Sequence, residues 1–217
     1  MMKLLLSVFF TLLTCSSFAQ FFTDDFKDTS QLVIEMAPAP NSSVYTDHGK
    51  LILDTKGGVT VWVNKRLEGN IKIEYKRKVL TEDKINDRLS DLNTFWMAQD
   101  PLNPNLFTRN GVLERYDSLK LYYVGMGGNT NSTTRFRKYE GNGIRTLIQE
   151  YKDADHLLKK DKEYKITIIV KDGVSSYFVD DVLYFTYKDP NPITAGYFGF
   201  RSTWSRQEIS QLRIYKL

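Results

Sequence analysis

The chain has 217 residues, 41% of them hydrophobic, with 30 Lys and Arg against 26 Asp and Glu, a formal charge of +4. That length is ample for one domain with its own core. The charge is too mild to imply a nucleic-acid partner, yet it allows a local basic cleft for an anionic polymer. Cys15 is the only cysteine, so disulfides, zinc–thiolate sites and thiol catalysis are excluded from the chain that follows it.

Residues 1–19 read as an export signal. Lys3 is the single charge before an apolar stretch over 4–13, about half of the roughly twenty residues needed to span a bilayer, and Ser17-Phe18-Ala19 is a small-x-small cleavage pattern. Cys15, after Leu12-Leu13-Thr14, offers a rival reading as a lipidated cysteine, against which the bulk of Thr14 counts. The expectation is an exported protein, periplasmic or secreted, with 20–217 as one domain and no membrane span.

Beyond the signal, Gly and Pro gather at turns, and the stretches between them alternate or are β-branched. Strands are predicted over 31–36, 50–54, 59–63, 69–80, 93–98, 120–125, 133–139, 145–151, 163–171, 175–179, 182–186, 195–204 and 208–216. Tyr164, Ile166, Ile168 and Val170 are apolar at a period of two, the mark of a strand with one buried face. Asp180-Asp181 between two apolar runs reads as a tight hairpin. Short helices are expected over 81–92 and 153–160. Many strands, no repeat and no linker point to a single all-β sandwich.

The segment 86–139 is the richest in chemistry. Aromatic rings, arginines and amides interleave in it, and a sugar needs these groups: apolar faces to stack on, bidentate donors for hydroxyls, and cations for any carboxylate. Alternation over 93–98 puts Asn93, Phe95 and Met97 on one face and Thr94, Trp96 and Ala98 on the other. Trp96 is then either a sugar platform or a core residue. Trp204, close to Arg201 and flanked by Ser and Arg, reads as an exposed platform, and Trp62 as core. Arg135 and Arg137 share one face of a strand, where they need either a ligand's anion or pairing with Asp87, Asp91 or Glu140. Asn86, Arg88, Asp91 and Asn93 cluster at the edge of a predicted sheet. Gly125 to Asn129 lacks the Lys-Ser/Thr ending and following helix of a phosphate loop, so it reads as a hairpin beside the cleft.

The order of Asp24-Asp25-Phe26, IVKDGVSSYFVDDVLYF and the closing GYFGFRSTWS…ISQLRIYKL resembles the concanavalin-like jelly rolls. The block DLNTFWMAQDP…YYVGMGGNTNSTTRFRKY is similar to the secreted YesU-like domains of Bacteroidetes systems that degrade rhamnogalacturonan and other uronate glycans. The resemblance implies a jelly-roll β-sandwich with a concave glycan-binding sheet, an acidic polysaccharide or oligosaccharide as partner, and polysaccharide lyase activity. A monomer with no required cofactor is expected. A structural calcium at Asp24 and Asp25 is a further option, although no defined calcium loop is present.

Elimination from a uronate needs a group that neutralises the carboxylate, a base for the adjacent proton and an acid for the leaving oxygen. Arg88, Arg135 and Arg137, helped by Asn93, are candidates for the first role. Tyr122, Tyr123 or Tyr139 is a candidate base or acid, since a guanidinium favours the phenolate. Only one of Tyr122 and Tyr123 can face the cleft, and Tyr123 is preferred. Trp96, Tyr139, Arg201 and Trp204 complete the expected binding surface. His48 and His156 read as surface residues. The paired glutamates of jelly-roll hydrolases are absent, so the competing function is a glycan-binding module, with a hydrolase behind it.

Overall fold

The structure is a computed structural model and describes residues 19–217; Cys15 and the expected export signal, apart from Ala19, lie outside the described residues. In chain order the strands are β1 (Ala19–Asp24), β2 (Leu32–Met36), β3 (Ser43–Asp47), β4 (Lys50–Thr55), β5 (Val59–Val63), β6 (Leu67–Glu68), β7 (Ile71–Val79) and β8 (Leu92–Gln99). They continue as β9 (Lys120–Gly127), β10 (Thr133–Glu140), β11 (Arg145–Tyr151), β12 (Glu163–Lys171), β13 (Val174–Val179), β14 (Val182–Lys188), β15 (Ala195–Ser202) and β16 (Ser205–Lys216). Two antiparallel sheets form. One runs β14-β13-β12-β7-β16-β4-β3 with β1 also on β16, and the other runs β11-β10-β9-β8-β15-β5-β2 with β6 also on β15. The fold is an all-β jelly-roll sandwich.

Period-two patterning decides which faces meet. In β7, Ile71, Ile73, Tyr75 and Val79 are buried while Lys72, Glu74, Lys76 and Lys78 are only half-buried on the opposite face. Opposite them, Trp96, Tyr122, Val124, Phe136, Phe198 and Phe200 of the second sheet complete the main core. Each large apolar side chain buried there contributes roughly 1.5–3 kcal/mol before entropy is counted. Asp180 and Asp181 both take positive φ, 50° and 65°, as a two-residue hairpin of the primed kind requires.

The second sheet also buries part of its outer face. Trp62, Phe95, Leu121, Tyr123 and Tyr139 pack there against Leu106, Tyr116 and Leu119 of the long connection 100–119. Glu35 anchors that connection. Its carboxylate accepts from Trp62 Nε1 at 2.8 Å, from Tyr116 Oη at 2.8 Å and from the Arg109 amide at 2.6 Å. Arg109 in turn pairs with Asp100 at 2.7 Å, bracing the connection from within.

Several expectations are corrected. Strict alternation fails in β8, because Met97 adopts φ 53° at a bulge; Met97 joins the main core and Ala98 the outer one. No helix forms over 81–92, where side chains rather than a periodic stripe hold the backbone, and only a 3₁₀ turn, Ala154–His156, forms in the second expected helix. Strands β1, β3 and β6 were not anticipated. Trp204 lies beyond the end of β15, in the turn before β16.

Candidate functional site

Register across the second sheet writes a line of side chains on its outer face. Thr60 of β5 lies opposite Arg201 of β15, Arg201 opposite Asn93 of β8, Asn93 opposite Gly125 of β9, Gly125 opposite Arg135 of β10, and Arg135 opposite Glu150 of β11. The next line on the same face runs Trp62, Gly199, Phe95, Tyr123, Arg137. The first line is polar and the second largely aromatic, so the floor changes character across one pleat.

This floor opens into a cleft of about 450 Å³, lined among others by Arg88, Asn93, Tyr123, Arg135, Arg137 and Arg201. Six residues singled out from the sequence therefore converge, although they come from four strands and one connecting segment. Arg145, Asp91, Leu113 and Thr203 also line the cleft, as does the turn at Gly128, Asn129 and Thr130. Arg145 escaped the sequence reading. The Gly141-Asn142-Gly143 turn carried its signal, because a hairpin there sets Arg145 opposite Tyr139.

The polar cluster around residue 88 divides in two. Asn86 is buried and donates to the Asn41 carbonyl at 2.6 Å and to Asp54 at 2.7 Å, and Asp87 pairs with Arg206 at 3.1 Å. These contacts pin the segment, and Arg88 and Asp91 are left to face the cleft. Arg88 lies over the Trp204 ring at 5.0 Å, with Lys56 at 5.6 Å from the same ring.

The five guanidiniums are not equivalent. Arg135 pairs with Glu150 at 2.9 Å across the strands, and Arg145 with Asp117 at 2.6 Å. The acids named from the sequence for Arg135 were Asp87, Asp91 and Glu140; strand register selects Glu150. Arg88, Arg137 and Arg201 have no carboxylate within salt-bridge reach among the described residues, and the Nε of each is buried without a hydrogen-bond partner. Arg201 is 1% exposed and spends its terminal nitrogens on Thr203 Oγ1 at 2.8 Å and the Gly111 carbonyl at 3.1 Å. Burial lowers its pKa, but a guanidinium does not deprotonate in a protein. It stays a buried cation in need of an anion.

Tyr123 is the tyrosine on the cleft side, 8% exposed, with its hydroxyl donating to Asn93 Oδ1 at 2.8 Å. A Cβ at Gly125 would run into that hydroxyl and stand 2.8 Å from Asn93 Oδ1, so the glycine makes room for the pair. Desolvation, then Asp91 and Tyr139, push the Tyr123 pKa far above that of a free phenol, against the opposite pull of Arg137 and Arg201. The expected lowering by arginine therefore loses to burial. Tyr122 faces the main core and donates to Asp189 at 2.6 Å.

Tyr139 is buried beside the cleft, stacked on Tyr123 at 5.8 Å with Arg145 over its ring at 5.5 Å. Trp96 is fully buried between the sheets, stacked against Tyr122 and Phe136 at 5.7 and 5.5 Å. No ligand can reach it, so it is core and not platform. Trp204 is partly exposed at the rim. His48 pairs with Asp47, and His156 stacks on Tyr151 at 3.7 Å; neither lines the cleft. Asp24 Oδ1 accepts from the Phe26 amide at 2.7 Å and Asp25 pairs with Arg213 at 2.7 Å, so both acids have local roles. Among the described residues no group of three or more His, Cys, Asp or Glu is placed to hold a metal ion, and no helix is long and apolar enough to cross a membrane.

Residues 53–212 match the family described as "Domain of unknown function (DUF6250)". Among solved structures, a protein of unknown function with galectin-like fold from Bacillus subtilis is similar at TM-score 0.73 and 15% identity, covering 91% of this chain and 96% of that one. The carbohydrate binding module CBM66 from Bacillus subtilis aligns at TM-score 0.59 and 13% identity, over 81% of this chain and 92% of its own. The endo-β-1,3-glucanase from Pyrococcus furiosus aligns at 0.62 and 9%, over 92% and 94%. At these identities the likeness establishes the fold. No curated protein matches the chain.

Proposed function

We propose that this chain, which belongs to the family described as Domain of unknown function (DUF6250), is a carbohydrate-recognition protein whose cleft takes a carboxylate-bearing sugar. One observation carries the reading: Arg88, Arg137 and Arg201 converge on a cleft with no acid paired to any of them and with each Nε buried and unpartnered. A guanidinium presents a planar fork of donors that matches a carboxylate, and in a partly desolvated site such bonds are the strong ones. The polar line along Asn93 and the aromatic line along Tyr123 offer hydroxyl partners beside a ring face. The named carbohydrate binding module and glucanase among similar folds support glycan as the ligand class. Asp91 is the one carboxylate lining the cleft, whereas glycoside hydrolysis ordinarily uses two, so binding is favoured over hydrolysis.

Affinity electrophoresis against uronate polysaccharides and a neutral β-1,3-glucan tests this reading. Retardation by a uronate polymer, weakened by added salt, is expected. Equal retardation by the neutral glucan, or none by any uronate polymer, would overturn it.

A second reading, β-elimination from a uronate, is favoured by Tyr123. Its hydroxyl stands among guanidiniums and is held neutral by burial, which suits the acid that protonates the leaving oxygen rather than the base. An arginine would neutralise the uronate carboxylate, and Asp91 is the lining group able to accept the adjacent proton. Elimination yields an unsaturated uronate that absorbs in the ultraviolet. Tyr123→Phe should then stop turnover and spare binding; no absorbance change with any uronate substrate leaves the protein a binder.

A further inference from the structure

The jelly-roll floor need not be an open trough. Here the polar line from Arg135 to Arg201 is stopped at the β5 end. Beyond Arg201 lies Thr60, fully buried, and over it the backbone of Gly111 rests on Gly58. The approach is so close that a Cβ on Gly58 would overlap the Gly111 carbonyl, and a Cβ on Gly111 would overlap the Gly58 carbonyl. Arg201 ties itself to that same carbonyl at 3.1 Å.

The plug is held from behind. The Gly111 amide donates to Tyr116 Oη at 3.2 Å, and Tyr116 donates to the buried Glu35. It is also limited along the strands. Leu113, Arg88, Asp91 and the turn at Gly128 to Thr130 border the cleft elsewhere. The polar line ends at the other side with the Arg135–Glu150 ion pair on β11, the last strand of the sheet. A volume of about 450 Å³ is at the small end of the range for ligand sites, roughly 300–1,000 Å³, and its lining on the β5 side includes Arg201 and Thr203 but not Thr60, Gly58 or Gly111.

We infer that the cleft is a blind pocket that receives the end of an acidic glycan chain, with the terminal uronate against Arg201 and the rest of the chain leaving over β10 and β11. This rests on the acidic-sugar reading above and deepens it from a glycan class to a mode of recognition. A chain passing through would have to run across Gly111, where backbone meets backbone. An end-on ligand needs no such passage, and its terminal carboxylate lies in the field of Arg201, a buried cation already bonded to Thr203 and the Gly111 carbonyl.

Titration calorimetry of the full chain with short and long members of linear oligouronide series (galacturonate, glucuronate-containing and mannuronate) tests the inference through stoichiometry. End recognition gives one protein per oligosaccharide at every length, with an unchanged Kd per chain. A number of bound proteins that grows with chain length would overturn the blind pocket while leaving acidic-glycan binding intact. Absence of binding across all series would overturn both, so the two failures are distinguishable.

Discussion

Arg137→Ala separates a ligand-binding guanidinium from a structural one. Arg137 sits half-buried on the outer face of β10 with no acid in salt-bridge reach, its guanidinium 6.0 Å from the centre of the Tyr123 ring. Removing it strands no carboxylate. The folded state loses a cation–π contact of about 0.5–1 kcal/mol and is relieved of some repulsion from the neighbouring guanidiniums. For a domain of this size 1 kcal/mol moves Tm by about 2–4 °C. The complex loses a hydrogen bond to a charged group, about 1.5–3 kcal/mol, and tenfold in Kd corresponds to about 1.4 kcal/mol. The expected variant melts within about 4 °C of the parent and binds a uronate oligomer about 10- to 150-fold more weakly. Differential scanning calorimetry and titration calorimetry on one preparation read both numbers. A fall in Tm beyond about 8 °C, or a folded variant with unaltered Kd, would refute the reasoning. Arg135→Ala is the poorer probe, since it also breaks the ion pair with Glu150, which Lys152 shares at 3.0 Å.

Gly125→Ala forces a methyl group between Tyr123 Oη and Asn93 Oδ1; such overpacking costs about 1–3 kcal/mol, so thermal stability and uronate binding should fall together. Glu35→Ala leaves the buried donors of Trp62, Tyr116 and Arg109 unpaired, at about 1–3 kcal/mol for each. Denaturant unfolding should show a loss of at least about 3 kcal/mol, and ligand binding should weaken because Gly111 loses its support. Tyr75, Tyr116, Tyr122, Tyr123, Tyr139 and Tyr177 all have pKa values raised by burial. Their contribution to stability is whole below the unfolded phenol's pKa of about 10 and is lost as pH climbs from there through the raised folded values. Tm should hold between neutrality and about pH 9 and fall above about pH 10, with the tyrosinate absorbance of these six rising only at unfolding, after that of exposed tyrosines such as Tyr45; a folded protein in which all 13 tyrosines already absorb as tyrosinate would contradict the burial argument.

The sequence by itself determined what depends on near neighbours. Alternation in β7 and β12, the two aspartates of the β13–β14 hairpin and the many short strands were legible because they express a two-residue period or a local turn. The chemical character of the cleft was legible too: Arg88, Asn93, Tyr123, Arg135, Arg137 and Arg201 stand out by residue type and strand alternation alone. Tertiary structure decided everything that depends on register and on which face meets which layer. Arg135 found Glu150 rather than Asp91 because β11 pairs with β10 in a particular register. Trp96 went to the core and Asn93 to the cleft because one pleat faces the other sheet and the next faces away. One bulged residue, Met97, reversed the alternation. The blind end of the cleft was beyond any local pattern, because it is made by Gly111 and Gly58, far apart along the chain and brought together by a buried carboxylate on β2. Short-range periodicity is written into the polymer, whereas contacts between distant segments exist only once the sheets have packed.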